Sequence, residues 1–266
     1  IYWSRLQRKY NLDKSNKEKL KFIALATSGN NLSDAVFNLK EFEKKNKDSV
    51  FRYIMYQFNF NDIVPYSQKQ IKELALKKQI IPGFAQFRMK YLFKSTFIRS
   101  SSFYLKGLLS QSKKTCSERG INSMGLYTWT YGHNKFKEQS ENMWKIFEEN
   151  IYKLNQFAIK NDAKFLIFVS PTLFDIDKNG IHKFYNKNNL DFSCATIDPL
   201  KRIYNLSKDI GVEVINPTSY LKEKFEDLVS ENNFKAFYFP GDTNHFTPIA
   251  GEHISDYLYF SIFKRN

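Results

Sequence analysis

The chain predicts an α/β protein whose parallel central sheet is covered by helices on both faces. Short apolar runs typical of buried strands alternate with longer amphipathic segments. The most apolar run directly follows the longest amphipathic segment, as in a strand–helix–strand unit. The 266 residues are 42% hydrophobic, which suffices for one sizeable core. We therefore expect residues 1–266 to form a single domain.

Four apolar runs are predicted to be strands of this sheet. They are Lys21–Thr27, Phe51–Phe58, Lys164–Val169 and Val212–Ile215. The first run ends in Ser28-Gly29, and the second is followed by Asn59-Phe60-Asn61-Asp62. In parallel sheets ligands bind beyond the carboxyl ends of the strands, so a site is expected where these loops meet.

Helices are predicted between the strands from apolar residues at helical spacing. They are one with the stripe Leu32, Val36, Leu39 and Phe42, one over Lys137–Lys160, one from about Asp198 to Ile210, and one after Thr247. Gly211 is a good C-cap for the third, and Thr247-Pro248 is a good start for the last.

Residues 66–136 break the alternation and predict a helical insertion that is basic and rich in aromatic residues. Within it, Leu74–Ser117 contains nine Lys or Arg and no acidic residue, and the whole chain has a net charge of +14. The insertion is interpreted either as a lid over the active edge or as an extra packing layer. Its basic residues are interpreted either as a solvent-exposed face or as a surface that binds anionic membrane lipid. Nucleic acid is a less favoured partner.

Hydropathy and cysteine content argue against a membrane-spanning segment, a disulfide framework and a cysteine metal site. Mean hydropathy is −0.51, and no apolar run reaches the roughly 18 residues of a membrane span. Cys116 and Cys194 are isolated, so they predict neither a disulfide framework nor a metal site.

The most informative motif is Asp242-Thr243-Asn244-His245, directly before the last predicted helix. A carboxylate that orients an imidazole makes a general base. Together with Gly29 and the Asn59–Asp62 segment, the order of motifs resembles the SGNH (GDSL-type) hydrolase superfamily of esterases, lipases and O-acetylesterases. Asn59 stands where that family usually has glycine, and the resemblance covers roughly residues 20 to 262.

The resemblance implies a three-layer α/β/α, flavodoxin-like fold and a role for each matching residue. His245 would be the base and Asp242 would orient it, while Asn61 and the Gly29 N–H would form the oxyanion hole. Asp62 is expected to tie its loop together rather than to react. The nucleophilic serine belongs to a Gly-Asp-Ser block that is expected a short way upstream of Ile1, so the chain is interpreted as N-terminally incomplete. No cofactor or metal is implied.

Other candidate residues are less favoured. Ser28 and Ser170 do not lie in a Gly-x-Ser-x-Gly elbow, so neither is the preferred nucleophile. Three further histidines have no partner at a useful spacing and are expected to be non-catalytic: His133, His182 and His253.

The sequence thus predicts a serine-dependent ester hydrolase or O-acyltransferase that acts on an acylated glycan or lipid, in the cell envelope or secreted. The alternative is a catalytically inactive SGNH-fold protein that binds or scaffolds other envelope components.

Overall fold

The computed structural model describes residues 2–25, 32–60, 62–63, 128–133, 136–176, 195–230, 237–239 and 245–264. Their elements, in chain order, are α1 (Tyr2–Leu12), α2 (Leu32–Lys45), β1 (Tyr53–Phe58), α3 (Thr128–Tyr131), α4 (Lys137–Lys160), β2 (Lys164–Val169), α5 (Leu173–Ile176), α6 (Pro199–Ile210), β3 (Glu213–Ile215), α7 (Thr218–Ser230) and α8 (Pro248–Phe263). Most of the predicted insertion at 66–136, including its basic block, lies outside the described residues.

The described strands form a three-stranded parallel sheet in the order β1-β2-β3. Phe58 of β1 is aligned with Val169 of β2, and Phe168 of β2 with Ile215 of β3. The β1–β2 ladder continues one step further, because the Ser170 N–H donates to the Phe58 carbonyl at 2.9 Å. The mixed α/β class and the parallel sheet are therefore confirmed, although β1 and β3 begin slightly later than predicted.

Side chains of the central strand β2 alternate between two hydrophobic cores, one on each face of the sheet. Phe165, Ile167 and Val169 pack with the apolar stripes of α2 and α4. Leu166 and Phe168 pack on the opposite face with residues of α1 and α8. Because successive side chains of a strand point to opposite faces, this continuous apolar run identifies β2 as buried on both sides.

Local capping residues define the helix ends that the sequence predicts. Asp198 is the N-cap of α6 and accepts the Lys201 N–H at 3.0 Å. Gly211 ends that helix in the left-handed region at φ 68°, which glycine adopts without strain. Thr247 caps α8, with Pro248 as its first residue. Helix α4 has the predicted bounds.

The first predicted strand is wrong in its described part. Residues 21–25 form no strand, and Ile23 is 45% exposed. Side chains of two helices satisfy backbone groups of this segment instead. Gln7 of α1 accepts the Phe22 N–H at 2.8 Å, and the Asn38 amide of α2 donates to the Leu25 carbonyl at 3.3 Å. An apolar run shows that a segment can be buried, whereas a strand also needs a neighbouring strand that pairs with its backbone N–H and C=O groups.

Helices α1 and α8 pack against each other although they lie at opposite ends of the chain. Leu6 of α1 is fully buried in the same core as Leu258 of α8. Ion pairs flank this contact: Arg5 Nη1 lies 2.7 Å from Glu252 Oε2, and Lys9 pairs with Asp256. The apolar contact is the main source of stability here, because exposed ion pairs contribute little.

Gly132 and Gly211 offer a matched test of how crowding adds to backbone strain. Both have positive φ, at 62° and 68°. A Cβ on Gly132 would lie 2.6 Å from Thr196 Oγ1 and 2.8 Å from the Ile197 side chain, whereas a Cβ on Gly211 meets nothing within 4 Å. We expect Gly211→Ala to lower the free energy of unfolding by about 1 kcal/mol and Gly132→Ala by about 3 kcal/mol or more. Urea denaturation measures both, and equal costs would contradict the crowding.

Candidate functional site

The carboxyl ends of β1 and β2 bring two loop segments to the same edge of the sheet. Residues 59–63 follow β1, and residues 170–176 follow β2. A third segment, around Tyr238, reaches this edge as well, since the Tyr238 hydroxyl donates to the Pro171 carbonyl at 2.6 Å. These three segments form the described part of this sheet edge.

The segment after β1 is a tight turn held by Asp62. The Asp62 N–H donates to the Asn59 carbonyl at 2.9 Å, which closes the turn. In return, Asp62 Oδ2 accepts the Asn59 N–H at 2.9 Å and the Tyr56 hydroxyl at 2.9 Å. Asp62 therefore ties the loop together, as the sequence analysis expects. We call this carboxylate with its partners Tyr56 and Asn59 the Asp62 clasp.

Asn59, which stands where the resembling family has glycine, contributes its side chain to the same clasp. Its amide Nδ2 lies 3.3 Å from Asp62 Oδ2, and its Oδ1 accepts from Gln57 Nε2 at 3.2 Å. The Asn59 side chain is thus held by two hydrogen bonds, and the backbone bonds of the turn form with asparagine at this position.

Burial raises the pKa of the Asp62 carboxyl to about 6, although bonds from Asn59 and Tyr56 favour its ionised form. The carboxylate borders a cavity just large enough for about one water molecule. Because the pKa of Asp62 in the folded state lies above the ordinary value of 3.8, the free energy of unfolding should fall as pH rises from about 4 to about 6, by at most about 3 kcal/mol. The same burial raises the pKa of Tyr56, so its hydroxyl stays protonated and able to donate.

Phe60 anchors the other side of the turn. Its side chain is 1% exposed, and its ring stacks on that of Tyr131 with centroids 5.9 Å apart. The Thr130 hydroxyl donates to the Phe60 carbonyl. Asn61, the predicted oxyanion donor, lies outside the described residues, but both of its neighbours in the chain are fixed.

His245 lies at the end of a short antiparallel pairing that leads into α8. The Phe239 N–H donates to the His245 carbonyl at 3.3 Å, and the Thr247 N–H donates to the Phe237 carbonyl at 2.8 Å. Between them, Tyr238 and Phe246 form a bridge with ring centroids 5.1 Å apart. The His245 side chain is exposed, and its backbone carbonyl takes part in the pairing.

The structure describes only one of the four residues predicted to form the site. Gly29, Asn61 and Asp242 lie outside the described residues, so their proximity to His245 stays a prediction. Ser28 also lies outside, whereas Ser170 is 3% exposed and its N–H extends the β1–β2 ladder. This burial fits a structural role for Ser170 at the strand end.

The structure describes the surroundings of two of the histidines that are expected to be non-catalytic. His133 is fully buried and forms an isolated bridge with Ala195. His253 on α8 packs near the rings of Tyr220 and Phe237, at 6.4 and 5.6 Å between centroids, and burial lowers its pKa. His182 lies outside the described residues.

Three residues at this edge were missed by sequence reasoning: Tyr56, Thr130 and Tyr238. Each places a hydroxyl on another segment of the edge, on Asp62, the Phe60 carbonyl and the Pro171 carbonyl respectively. Tyr56 left a weak signal, because it is a polar-tipped residue within an apolar run, two positions before the strand end. The other two left no signal that spacing alone reveals.

Comparison of the chain with protein-family models, curated proteins and solved structures found no match. Within the residues that the structure describes, no group of three or more His, Cys, Asp or Glu side chains is placed to hold a metal ion. In that same part of the chain, no helix is long and apolar enough to cross a membrane. The class defined by the described residues is thus a mixed α/β protein with a three-stranded parallel sheet.

Proposed function

We propose that the protein is a serine-dependent ester hydrolase or O-acyltransferase with an SGNH-type, flavodoxin-like α/β/α fold. The supporting observation is the position of two predicted site segments at one sheet edge. At the end of β1, the Asp62 clasp holds one neighbour of Asn61, and the Thr130 hydroxyl holds the other through the Phe60 carbonyl. The segment before α8 that carries His245 joins the end of the adjacent strand β2 through Tyr238.

In the proposed reaction a serine hydroxyl attacks the ester carbonyl carbon while His245 removes its proton. Asp242 orients the imidazole and stabilises its protonated form. Asn61 and the Gly29 N–H donate hydrogen bonds to the oxyanion that develops. Collapse of the tetrahedral intermediate breaks the ester C–O bond, and the leaving alcohol takes the proton from His245.

The acyl-serine is then cleaved by water or by an acceptor hydroxyl, with His245 again accepting a proton. Water gives a carboxylic acid, whereas an acceptor hydroxyl gives a new ester. The resemblance assigns the serine to a Gly-Asp-Ser block. An acylated glycan or lipid of the cell envelope is the proposed substrate class, and the basic block at 74–117 would serve contact with anionic lipid.

The test is active-site labelling of the full-length protein with a fluorophosphonate probe, together with turnover of p-nitrophenyl acetate. We expect one covalent adduct per chain on a serine, located by peptide mass spectrometry, and ester turnover that the probe abolishes. A protein that neither labels nor turns over ester would instead be an inactive binding or scaffold protein.

A further inference from the structure

The Asp62 clasp joins three backbone or side-chain donors to one carboxylate oxygen. Asp62 Oδ2 accepts from the Asn59 N–H, the Asn59 amide and the Tyr56 hydroxyl. A carboxylate accepts such bonds more strongly when it is ionised than when it is protonated. Burial, however, works against the ionised form. The turn after β1 is therefore held by a group whose strength as an acceptor depends on its charge.

We propose that Asp62 is a positioning residue for ester cleavage: its ionised carboxylate holds the turn after β1 in the shape that the reaction requires. The inference rests on the proposed function. Asp62 does not contact the reacting atoms in this proposal. It acts through the turn, whose closure joins the Asp62 N–H to the Asn59 carbonyl.

The surroundings of Asp62 leave its charge without a nearby counter-charge among the described residues. From β1 the titratable group that faces it is Tyr56. From α2, Leu32 and Ser33 line the cavity beside it, and from α4 it is lined by Ile146, Phe147 and Asn150, none of which titrates. Lys153 of α4 donates to Asn150 Oδ1 at 3.5 Å, and neither it nor another charged side chain of the described residues contributes to the pKa of Asp62. Protonation of Asp62 is therefore set by burial and by its own hydrogen bonds.

The chain supplies a matched control in Asp175. This carboxylate accepts the Thr172 N–H at 2.7 Å and the Thr172 hydroxyl at 2.8 Å, at the start of α5. Burial raises the pKa of Asp175 too. Asp175 thus makes the same kind of clasp after the neighbouring strand, in a segment to which the proposed reaction assigns no role.

The experiment compares Asp62→Asn with Asp175→Asn in the full-length protein. We expect Asp62→Asn to lower kcat for p-nitrophenyl acetate about 10-fold with KM changed less than about 3-fold. Asp175→Asn should stay within about 2-fold of the unmodified protein. Tyr56→Phe, which keeps the carboxylate and removes one donor, should lower kcat by a smaller factor of about 3.

The pH profile separates positioning from a merely structural effect. In the unmodified protein, log kcat should fall more steeply on the acid side than in Asp62→Asn, because protonation weakens the Asp62 carboxylate as an acceptor and asparagine has no such proton to gain. If the unmodified protein hydrolyses no ester, the proposed function fails and this inference with it. If it is active but Asp62→Asn matches it in kcat and in acid slope, the inference alone is overturned.

Discussion

Replacing His245 by alanine is expected to lower kcat for p-nitrophenyl acetate by about 10³-fold or more. Removing the base of a serine triad leaves only the oxyanion hole and binding to accelerate the reaction. The melting temperature should stay close to that of the unmodified protein. The side chain is exposed, and the described pairing uses the His245 carbonyl, which alanine also supplies. Steady-state kinetics and a thermal melt of the same preparation measure the two quantities.

His253→Gln is the matched control for the loss of an imidazole. His253 lies on α8 near Tyr220 and Phe237, and no step of the proposed reaction uses it. Its variant should keep kcat within about 3-fold. Equal activity of His245→Ala and the unmodified protein would remove His245 from the mechanism. A melting temperature lowered by many degrees would show that His245 has a structural role instead.

Replacing Asn61 by alanine is expected to lower kcat by about 10² to 10³-fold with little change in KM. A donor to the oxyanion acts in the transition state more than in the ground state, so its loss affects kcat. The turn itself should persist, because the bonds that close it involve Asn59, Asp62 and Tyr56. Single-turnover kinetics with the same ester measure the acylation step directly.

Asn59→Gly is the control for disruption of the turn. It introduces the residue that the resembling family usually has and keeps the backbone N–H that donates to Asp62. Only the weaker 3.3 Å amide bond and the contact with Gln57 are lost. We expect kcat within about 3-fold of the unmodified protein. A loss in Asn59→Gly as large as that in Asn61→Ala would mean that turn disruption, rather than a lost donor, explains both.

Sequence reasoning located those elements whose signal is local. The caps Asp198, Gly211 and Thr247 satisfy helix ends by contacts a few residues away, so both ends of α6 and the start of α8 could be predicted. The apolar run of β2 is long enough to identify a buried strand. In contrast, α7 was not predicted, although Leu221 is fully buried. Its short apolar stripe lies among charged residues and resembles a loop as much as a helix.

The failure at Lys21–Leu25 has a different cause. An apolar run becomes a strand only where a neighbouring strand pairs with its backbone N–H and C=O groups. Here the Gln7 side chain accepts from one such N–H, and the Asn38 side chain donates to one such carbonyl. In the candidate site, too, some residues are indicated by the local sequence and others only by the fold. The motif order indicates His245 and Asn61, whereas the hydroxyl of Tyr56 is brought to Asp62 by the fold.

The contact between α1 and α8 has a consequence for how the chain matures during synthesis. Arg5 and Glu252 are 247 positions apart, so α1 emerges from the ribosome long before its partner exists. Leu6 cannot be fully buried until α8 has been synthesised, because its core neighbours Ile254 and Leu258 lie 248 and 252 positions further along the chain. His245 lies immediately before that same helix. The base proposed for ester cleavage is therefore held in place only once α8 packs against α1.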